Sequence, residues 1–299
     1  MGEVVAALDI GGTKLAAALV RRSGELVDRR TAPTPAKAGG RAILAVASEL
    51  VAALHAGSPA ELVALGIGSA GVVDPVSGRV LAATDQLADW AGTDLTELGA
   101  PWRLPVAAMN DVHAHALGEA SAGDTMLFLA VGTGIGGAYV VDGAVLAGAH
   151  SVAGHAGHVP SVYADRTPCT CGGRGHLEAI ASGPALVAKY EQLSGEQAGD
   201  LRAVAERAAA GDQVAAEVIE YGGTAVGSAL GGLVNMLDPH EVVIGGGVAG
   251  LGVLWWNALR AEFRREALPR LADVPVSAAR LGNDAALIGA AKAAWERTG

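Results

Sequence analysis

Residues 3–14 read EVVAALDIGGTK, and this stretch sets the first expectation for the fold. The mostly apolar run EVVAALDI predicts a buried strand, and the glycine pair after it predicts a tight turn. Glycine lets the backbone come close to a ligand, and successive N–H groups then form a cradle for phosphate oxygens. Asp9, at the strand end, can hold a hydrated magnesium ion there, while Thr13 or Lys14 meets the terminal phosphates of a nucleotide.

A second carboxylate, Asp111, follows the predicted strand LPVAAMN (104–110) and begins the predicted helix DVHAHALGEASAG (111–123). A phosphoryl-transfer site needs positioned phosphates, neutralised charge and one base for a hydroxyl proton, and Asp111 fits the last of these parts. The alternative is that Asp111 caps its own helix, since Asp is a favoured N-cap residue. The sequence leaves both roles open.

Strands and helices alternate along the rest of the chain, which predicts an α/β fold. Residues 14–33 predict a hairpin that turns at Ser23 and Gly24, and residues 40–57 carry apolar side chains at helical spacing. Further predicted strands are ELVALGIGSAG (61–71), TMLFLAV (125–131), HEVVIGGG (240–247) and PVSAARL (275–281), and the last predicted helix is DAALIGAAKAAWERT (284–298).

Length, net charge and the apolar segments limit which classes of protein this sequence can belong to. A length of 299 residues suggests two domains, and a net charge of −10 argues against a nucleic-acid surface. The N-terminus has no basic segment before its apolar run, which argues against a signal peptide. The longest apolar region, residues 230–256, is interrupted by Asp238, His240 and Glu241, which a membrane span would not tolerate. We therefore expect a cytoplasmic protein without nucleic-acid or membrane partners.

Three glycine-rich turns each follow a predicted strand: DIGGTK (9–14), VGTGIGG (131–137) and IGGGVAG (244–250). The second and third also satisfy the dinucleotide pattern G-x-G-x-x-G, so a nicotinamide-dependent oxidoreductase has to be weighed. That pattern needs a helix after the turn, but a strand-like run follows the second turn. A helix does follow the third, yet the next strand ends in Arg280 where an acidic ribose ligand is expected. Both observations argue against dinucleotide binding.

The chain has two cysteines, Cys169 and Cys171, within CTCGGRGHLE (169–178). A disulfide between them would close too small a ring, and reduced thiols this close more often hold a metal or do redox chemistry. With His158 and His176 they could form a Cys2His2 zinc site. The other interpretation is a pair of small buried thiols beside exposed loop histidines, because C-x-C is tighter than the zinc-finger spacing.

Taken together, these motifs resemble the ROK family (repressors, open reading frames and sugar kinases) of the actin-like, hexokinase-like ATPase superfamily. The resemblance rests on LDIGGTK (8–14), GIGSAGVVDPVSGRV (66–80), MNDVHAHALGE (109–119), LAVGTGIGGAYVVDGAV (129–145), GHAGHVP (154–160), CTCGGRGHLE (169–178) and NMLDPHEVVIGGGV (235–248). It implies an α/β, two-lobed actin-like (ribonuclease H-like) ATPase fold with a cleft between the lobes. It also implies an ATP-dependent, Mg²⁺-dependent kinase for a hexose or amino-hexose.

The resemblance further implies a division of the chain. We expect a smaller N-terminal lobe over residues 1–120, joined by the C-terminal helix 284–299. A larger lobe over residues 121–283 would hold a zinc-binding loop. Relatives are commonly dimers or tetramers, so a homo-oligomer is expected.

Residue roles follow from the matching motifs. Asp111 would be the general base for a sugar hydroxyl, usually the one on C6, and Asn110 would contact the sugar. His158 would both contact the sugar and bind zinc, and Glu178 would bond another sugar hydroxyl. The positions assigned to ATP and its phosphates are Asp9, Gly11, Gly12, Thr13, Lys14, Gly132, Thr133, Gly134, Gly245 and Gly246. The structural zinc ion would be held by His158, Cys169, Cys171 and His176, which would fix the loop that carries the sugar ligands.

Three positions depart from the family pattern. His176 replaces a cysteine, and imidazole is an acceptable zinc ligand. His155 replaces a glutamate that accepts hydrogen bonds from sugar hydroxyls, and it either marks an unusual sugar or is a tolerated change at the cleft rim. Asp85 lies where the family often has a sugar-binding asparagine, and a carboxylate there could pair with an ammonium group. Candidate sugars are glucose, 3-amino-3-deoxyglucose (kanosamine), N-acetylglucosamine and N-acetylmannosamine.

A regulatory function is the alternative to catalysis. Many family members are repressors with a winged-helix domain before the sugar-binding part, but here the first predicted strand begins at residue 3. A sugar sensor without catalysis would not need Asp9, Thr13 and Asp111, so their presence favours a kinase.

Overall fold

The computed structural model describes residues 2–121 and 123–298, and the chain divides into two compact units. Unit 1 comprises Met1–Ala122, Asp142–Ala153 and Arg280–Gly299, and unit 2 comprises Gly123–Val141 and Gly154–Ala279. The predicted boundaries at residues 120 and 283 left the segment 142–153 in the larger lobe, whereas here it belongs to unit 1. One contact of this segment with unit 1 joins the Ala153 carbonyl to Nε2 of the buried His113, 3.1 Å away.

The strands have the following bounds: β1 Glu3–Ile10, β2 Lys14–Val20, β3 Leu26–Pro33, β4 Glu61–Ser69, β5 Val72–Val73, β6 Val80–Ala82, β7 Val106–Asn110, β8 Met126–Val131, β9 Ile135–Val141, β10 Ala144–Val145, β11 Glu241–Gly245 and β12 Val276–Ala278. The α-helices are α1 Gly40–Ala56, α2 Asp111–Glu119, α3 Glu178–Ala181, α4 Gly183–Ser194, α5 Leu201–Ala209, α6 Gln213–Leu237, α7 Val253–Glu266 and α8 Ala285–Glu296.

Unit 1 is built on a five-stranded sheet in the order β3-β2-β1-β4-β7. Strands β1, β4 and β7 run parallel, and β2 and β3 extend the sheet as an antiparallel hairpin. The predicted hairpin turn is confirmed: Gly24 adopts φ +86°, a conformation that glycine reaches without steric cost, and its amide donates to the Arg21 carbonyl. Parallel strands end at the same edge of the sheet, and this edge carries the candidate catalytic residues.

Helices cover both faces of the unit 1 sheet. The face with α1 buries Ile43 and Leu54 against strand residues such as Leu8, and the opposite face packs α8. Helices α2 and α8 meet at backbone distance, because a Cβ at Gly289 would lie 1.8 Å from the Ala114 carbonyl oxygen. Larger side chains at this crossing would push α2, and the residue at its start, away from the sheet.

Unit 2 contains the mixed sheet segment β9-β8-β11-β12, in which β8, β11 and β12 are parallel and β9 is antiparallel. The 25-residue helix α6 packs closely on α7, since a Cβ at Gly223 would lie 2.3 Å from the Trp255 carbonyl oxygen. The Trp255 side chain is fully buried. Among the helices of the described residues, none combines the length and apolar content needed to cross a membrane.

Candidate active site

Two carboxylates lie at the shared strand edge of unit 1. Asp9 is near the end of β1, and Asp111 begins α2 directly after β7. Strand β4 lies between them, with Gly68 paired to Asp9 in the parallel ladder. A Cβ at Gly68 would come within 2.9 Å of the Ala114 Cβ, so glycine lets the start of α2 approach the sheet. The sheet and this close contact together position Asp111 beside Asp9.

Asn110, not Asp111, caps helix α2. Its Oδ1 accepts hydrogen bonds from the Val112 amide at 2.9 Å and the His113 amide at 3.3 Å. Its Nδ2 donates to the Gly71 carbonyl and to Asp111 Oδ1, both at 2.9 Å. The capping alternative for Asp111 is therefore corrected: the preceding asparagine fills that role and also orients the carboxylate.

The environment raises the pKa of Asp111 to about 6. Burial is the largest cause, and the negative charge of Asp9 adds to it, whereas the Val112 amide, His115 and Asn110 lower the pKa. Burial also raises the pKa of Asp9. At neutral pH the Asp111 carboxylate is thus mostly ionised and still basic enough to accept a proton.

His115 is a neighbour of this pair that the sequence did not assign to the site. Its Nδ1 lies 2.9 Å from the Asp111 carbonyl oxygen, one helical turn back. Its electrostatic interaction lowers the pKa of both Asp9 and Asp111. The four-residue spacing from Asp111 was the available signal, because residues at that spacing share a helix face.

The first glycine-rich turn is fixed by bonds to its carbonyl groups. The Gly11 amide donates to the Lys14 carbonyl at 3.2 Å, and the Thr34 hydroxyl donates to the Gly11 carbonyl at 2.7 Å. The Thr13 and Lys14 side chains are exposed at this turn. A Cβ at Gly12 would lie 3.3 Å from Gln86 Oε1, so the segment around Gln86 adjoins the turn.

Asp85 is exposed in that adjoining segment. The Lys37 ammonium donates to the Asp85 backbone carbonyl at 3.2 Å, which holds the backbone without neutralising the carboxylate directly. The structure thus brings Asp85 near the Gly12 turn through its neighbour Gln86.

Unit 2 brings together the four predicted metal ligands. One ligand atom from each of them lies within 4.8 Å of all the others, and the residues are His158, Cys169, Cys171 and His176. Cys169 Sγ is 3.7 Å from His158 Nδ1, and Cys171 Sγ is 3.2 Å from His176 Nδ1. Ligand atoms around a tetrahedral zinc ion are about 3–4 Å apart, so this donor set fits zinc. We call residues 158–176 the metal loop.

His155 and Glu178 flank the metal loop. The His155 and His158 rings are stacked with centroids 6.2 Å apart and an interplanar angle of 26°. The Glu178 carboxylate accepts hydrogen bonds from the Ile135 amide and from the Thr170 hydroxyl, each at 2.8 Å. Two predicted sugar ligands, His155 and Glu178, therefore lie next to the predicted metal ligands.

A cavity of about 850 Å³ lies within unit 2 beside the second glycine-rich turn. Gly132 and Thr133 line it at one end, and Gly247 lines it from the third turn. The rest of the wall is Gly183, Pro184, Val187, Ala188, Glu191, Gly199, Asp200, Leu201, Arg202, Ala205, Val248, Gly250 and Leu251. Its volume is in the usual range for small-molecule sites, which runs from roughly 300 to 1,000 Å³.

The other predicted glycines do not line this cavity. Gly246 adopts φ +88°, and a Cβ there would meet the Val131 carbonyl oxygen at 2.3 Å. A Cβ at Gly245 would meet the Phe128 ring at 2.9 Å, and one at Gly134 would meet Glu178 Oε2 at 2.7 Å. These glycines permit close packing behind the turns, whereas Gly132 and Thr133 face the cavity.

Helices α4 and α5 supply the cavity wall that the sequence did not reveal. The Gly183 amide donates to the Gly132 carbonyl at 2.8 Å, which joins the start of α4 to the turn. Asp200 caps α5 through the Ala203 amide. The sequences Ser-Gly-Pro and Gly-Asp indicate that helices start at these two places. No local sequence pattern indicates that these helix starts lie beside residues 132 and 133.

Comparison with known sequences gives a consistent family. The profile of the ROK family matches residues 5–297. A glucokinase of Halalkalibacterium halodurans is 33% identical over 305 residues, covering 94% of this chain and 92% of that protein. An N-acetylmannosamine kinase of Yersinia pseudotuberculosis is 35% identical over 300 residues, covering 98% of both.

Solved structures agree with the sequence comparison. A ROK hexokinase from Thermus thermophilus matches with a TM-score of 0.87 and 32% identity over 98% of each chain. A ROK family glucokinase from Streptomyces griseus, in complex with glucose and AMPPNP, matches with a TM-score of 0.79 and 31% identity over 98% of this chain and 99% of that one. The expected α/β, two-lobed actin-like fold is confirmed. The chain belongs to the ROK family.

Proposed function

We propose that the protein is an ATP-dependent sugar kinase that phosphorylates a hydroxyl of a hexose or amino-hexose. The observation that carries this proposal is the Asp111 carboxylate at the start of α2, with its pKa raised to about 6 beside Asp9. A base with this pKa is ionised at neutral pH and suited to take a hydroxyl proton. The glucokinase and N-acetylmannosamine kinase relatives support the same reaction class.

Asp111 is the proposed general base. It takes the proton of the sugar hydroxyl, for which we propose the C6 hydroxyl, while that oxygen attacks the γ-phosphorus of ATP and ADP leaves. Asn110 holds Asp111 Oδ1 by its amide and is proposed to contact the sugar. The sugar oxygen becomes nucleophilic only as its proton leaves. Replacing the Asp111 carboxylate should therefore prevent phosphoryl transfer and leave the fold intact.

Asp9 and the turn after it are proposed to handle the phosphates. Asp9 would hold a hydrated Mg²⁺, and that ion would supply charge neutralisation for the transferred group. Thr13, Lys14 and the amides of Gly11 and Gly12 would meet the terminal phosphates. Both Thr13 and Lys14 are exposed, which supports such a contact.

The cavity in unit 2 is the proposed site for the rest of ATP. Gly132 and Thr133 would contact the phosphate end of ATP. Leu201 and Leu251 offer apolar surface for its adenine ring. The volume of about 850 Å³ accommodates a nucleoside triphosphate. Gly134, Gly245 and Gly246 are also proposed to contact ATP and its phosphates, and their missing side chains let these turns pack closely.

A structural zinc ion is proposed at the metal loop. His158, Cys169, Cys171 and His176 offer two thiolates and two imidazoles, a donor set that forms closed tetrahedral sites. The ion would supply rigidity to a loop rich in glycine, and His158 would present its other edge to the sugar. Glu178 and His155 are proposed to bond sugar hydroxyls beside it.

The proposed substrate is a glucose-like sugar, either glucose or 3-amino-3-deoxyglucose. The Streptomyces griseus glucokinase in complex with glucose supports the first. The exposed Asp85 carboxylate, which could pair with an ammonium group, supports the second. N-acetylmannosamine or N-acetylglucosamine is the second candidate class, supported by the 35% identity to an N-acetylmannosamine kinase.

A direct assay tests this function. The purified protein is incubated with Mg²⁺-ATP and each of the four sugars, and mass spectrometry follows the sugar gaining one phosphate. We expect phosphorylation by the parent and loss of it in Asp111→Asn. A parent that binds sugar in calorimetry but phosphorylates none of the panel would instead support the sensor alternative.

A further inference from the structure

Glu178 connects two segments of unit 2 that are distant in sequence. Its Oε2 accepts a hydrogen bond from the Ile135 amide, and its Oε1 accepts one from the Thr170 hydroxyl, each at 2.8 Å. Ile135 begins β9 directly after the turn of residues 132–134. Thr170 lies between the two cysteines of the metal loop. One side chain therefore bonds the turn and the metal loop at the same time.

The turn is shaped to receive this carboxylate. A Cβ at Gly134 would lie 2.7 Å from Glu178 Oε2, so the missing side chain leaves the space that the oxygen uses. On its other side, the turn is held by the Gly132 amide, which donates to the Gly134 carbonyl, and by the Gly183 amide, which donates to the Gly132 carbonyl. Glu178 thus adds a side-chain bond to the N–H of the Gly134–Ile135 peptide, whose carbonyl already accepts from the Gly132 amide.

The hydrogen bond from the Ile135 amide to the Glu178 carboxylate is of a strong type, and it lies at the end of the β8–β9 ladder. Val131 and Ile135 form the last pair of the β8–β9 ladder next to the turn, where a strand frays most easily. The acceptor is a carboxylate, and hydrogen bonds to charged acceptors are roughly twice as strong as neutral ones. Loss of this bond should therefore make the 132–134 turn more mobile at the end that adjoins Ile135.

The metal loop determines where Thr170 lies. Cys169 and Cys171 flank it on both sides, and their sulfur atoms belong to the four-ligand cluster. A metal ion bound there would fix the backbone before and after Thr170. The Thr170 hydroxyl would then be held in place to orient Glu178.

We propose that Glu178 is a positioning residue that transmits the order of the metal loop to the 132–134 turn, through the chain Thr170, Glu178 and Ile135. Metal binding then stabilises a turn that borders the unit 2 cavity. The structural part of this proposal is independent of catalysis. Its kinetic part, tighter ATP binding in the metal-loaded protein, rests on the proposed function.

Amide hydrogen exchange at Ile135 tests the structural part. The zinc-loaded, substrate-free protein is compared with Thr170→Val and with the chelator-treated parent. We expect exchange at Ile135 to become about tenfold faster, or more, in both, because a hydrogen bond to a charged acceptor is lost or weakened. Thr167→Val is the matched control, since it makes the same change in the same loop away from Glu178, and its exchange should equal that of the parent.

Two variants of Glu178 sharpen the result. Glu178→Gln keeps an acceptor for Ile135 and should exchange more slowly there than Glu178→Ala. Unchanged Ile135 exchange in Thr170→Val and after chelation would overturn the proposal and leave Glu178 with a sugar contact alone. Because Thr170 is exposed, its replacement by valine should not impair folding, which circular dichroism checks.

The kinetic part is measured separately. Thr170→Val should raise the KM for ATP about threefold or more while the KM for the sugar changes less than twofold, and Thr167→Val should change neither. A rise confined to the sugar KM would contradict the link to the turn. If the parent phosphorylates no sugar, the proposed function fails, but the exchange result still decides whether Glu178 carries order from the loop to the turn.

Discussion

The negative charge of Asp9 raises the pKa of Asp111, so the two carboxylates at the strand edge of unit 1 are electrostatically linked. Burial contributes more than Asp9 to the raised pKa of about 6. In such a pair, one carboxylate can bind a cation while the other exchanges a proton.

Activity should fall below pH 6. Protonation of Asp111 removes the base, so kcat/KM for the sugar, measured at saturating Mg²⁺-ATP, should decline about tenfold per pH unit below its apparent pKa near 6. His115→Gln is the informative comparison. Because the interaction with His115 lowers the pKa of Asp111, this variant should raise that pKa and move the decline to higher pH. A profile that stays flat down to pH 4.5 would contradict a base with a raised pKa.

Asp111→Asn should stabilise the protein above pH 6. Since the pKa of Asp111 in the folded protein lies above its ordinary value of 3.8, the stability from this group is present below about pH 4 and lost as pH rises through about 6. Asparagine mimics the protonated form, so urea unfolding at pH 8 should show a gain of about 1–3 kcal/mol, which shrinks toward pH 4.

Asp74→Asn is the control of opposite sign. Hydrogen bonds from the Ser77 hydroxyl and the Val76 amide lower the pKa of Asp74. This variant should therefore lose stability at pH 8. An Asp111→Asn protein less stable than the parent at pH 8 would show that burial of the charge is not the dominant cause.

The sequence revealed those parts of the site that are local in the chain. Asp9 and its turn, Asp111 after a strand, and the cysteine pair could all be recognised from short stretches. Two details depended on long-range contacts. The Asn110 side chain that caps α2 also donates to the Gly71 carbonyl, 39 residues away. The segment 142–153 belongs to unit 1, where the Ala153 carbonyl contacts His113, and no local pattern encodes this contact.

The residues that form the wall of the unit 2 cavity could not be predicted from the sequence either, because they meet through contacts that are distant in the chain. Its α4 and α5 residues lie about 50 to 70 positions after the turn that they face, and their glycines and small side chains are ordinary helix-start features. Conversely, the glycine-rich patterns did not show which glycines line the cavity. Gly245 and Gly246 resemble a phosphate turn, but the space that their missing side chains leave is taken by Phe128 and Val131.

The metal loop should bind one zinc ion per chain. His176→Ala should lose that ion during dialysis against a chelator that leaves the parent loaded, and its melting temperature should fall, because the ion crosslinks the loop. His176→Cys should retain zinc, since thiolate is an equally suitable ligand. Metal content by mass spectrometry and thermal unfolding are the measurements.

His155→Ala is the control for the metal prediction. Its ring stacks on His158 but is outside the four-ligand cluster, so zinc content should stay at the parental level. Equal zinc content in the parent and in His176→Ala after the same dialysis would contradict the Cys2His2 assignment.

Asp85 should discriminate between the two proposed sugars. Asp85→Asn should raise the KM for 3-amino-3-deoxyglucose about two- to fivefold, the range of an exposed ion pair, with a smaller change for glucose. Asp89→Asn removes an exposed carboxylate from the same segment and should change neither value. Parallel changes for both sugars in Asp85→Asn would argue against pairing with an ammonium group.

A bulky side chain in the unit 2 cavity should block ATP. Ala205 lines the cavity, so Ala205→Trp should raise the KM for ATP about tenfold or more by occupying its volume. Calorimetric binding of the sugar should be unchanged. Ala209→Trp places the same ring at an exposed position one turn further along α5, at a residue that does not line the cavity, and should behave as the parent. Equal KM values in the two variants would move the nucleotide elsewhere.

Single-turnover phosphorylation of glucose by the parent and by Asp111→Asn tests whether Asp111 is the base of a sugar kinase. At pH 8, with saturating Mg²⁺-ATP and sugar binding verified by calorimetry, we expect the parent to form glucose phosphate. The variant should bind the sugar equally well and react about 10²- to 10⁴-fold more slowly. Equal rates in the two proteins would contradict the account.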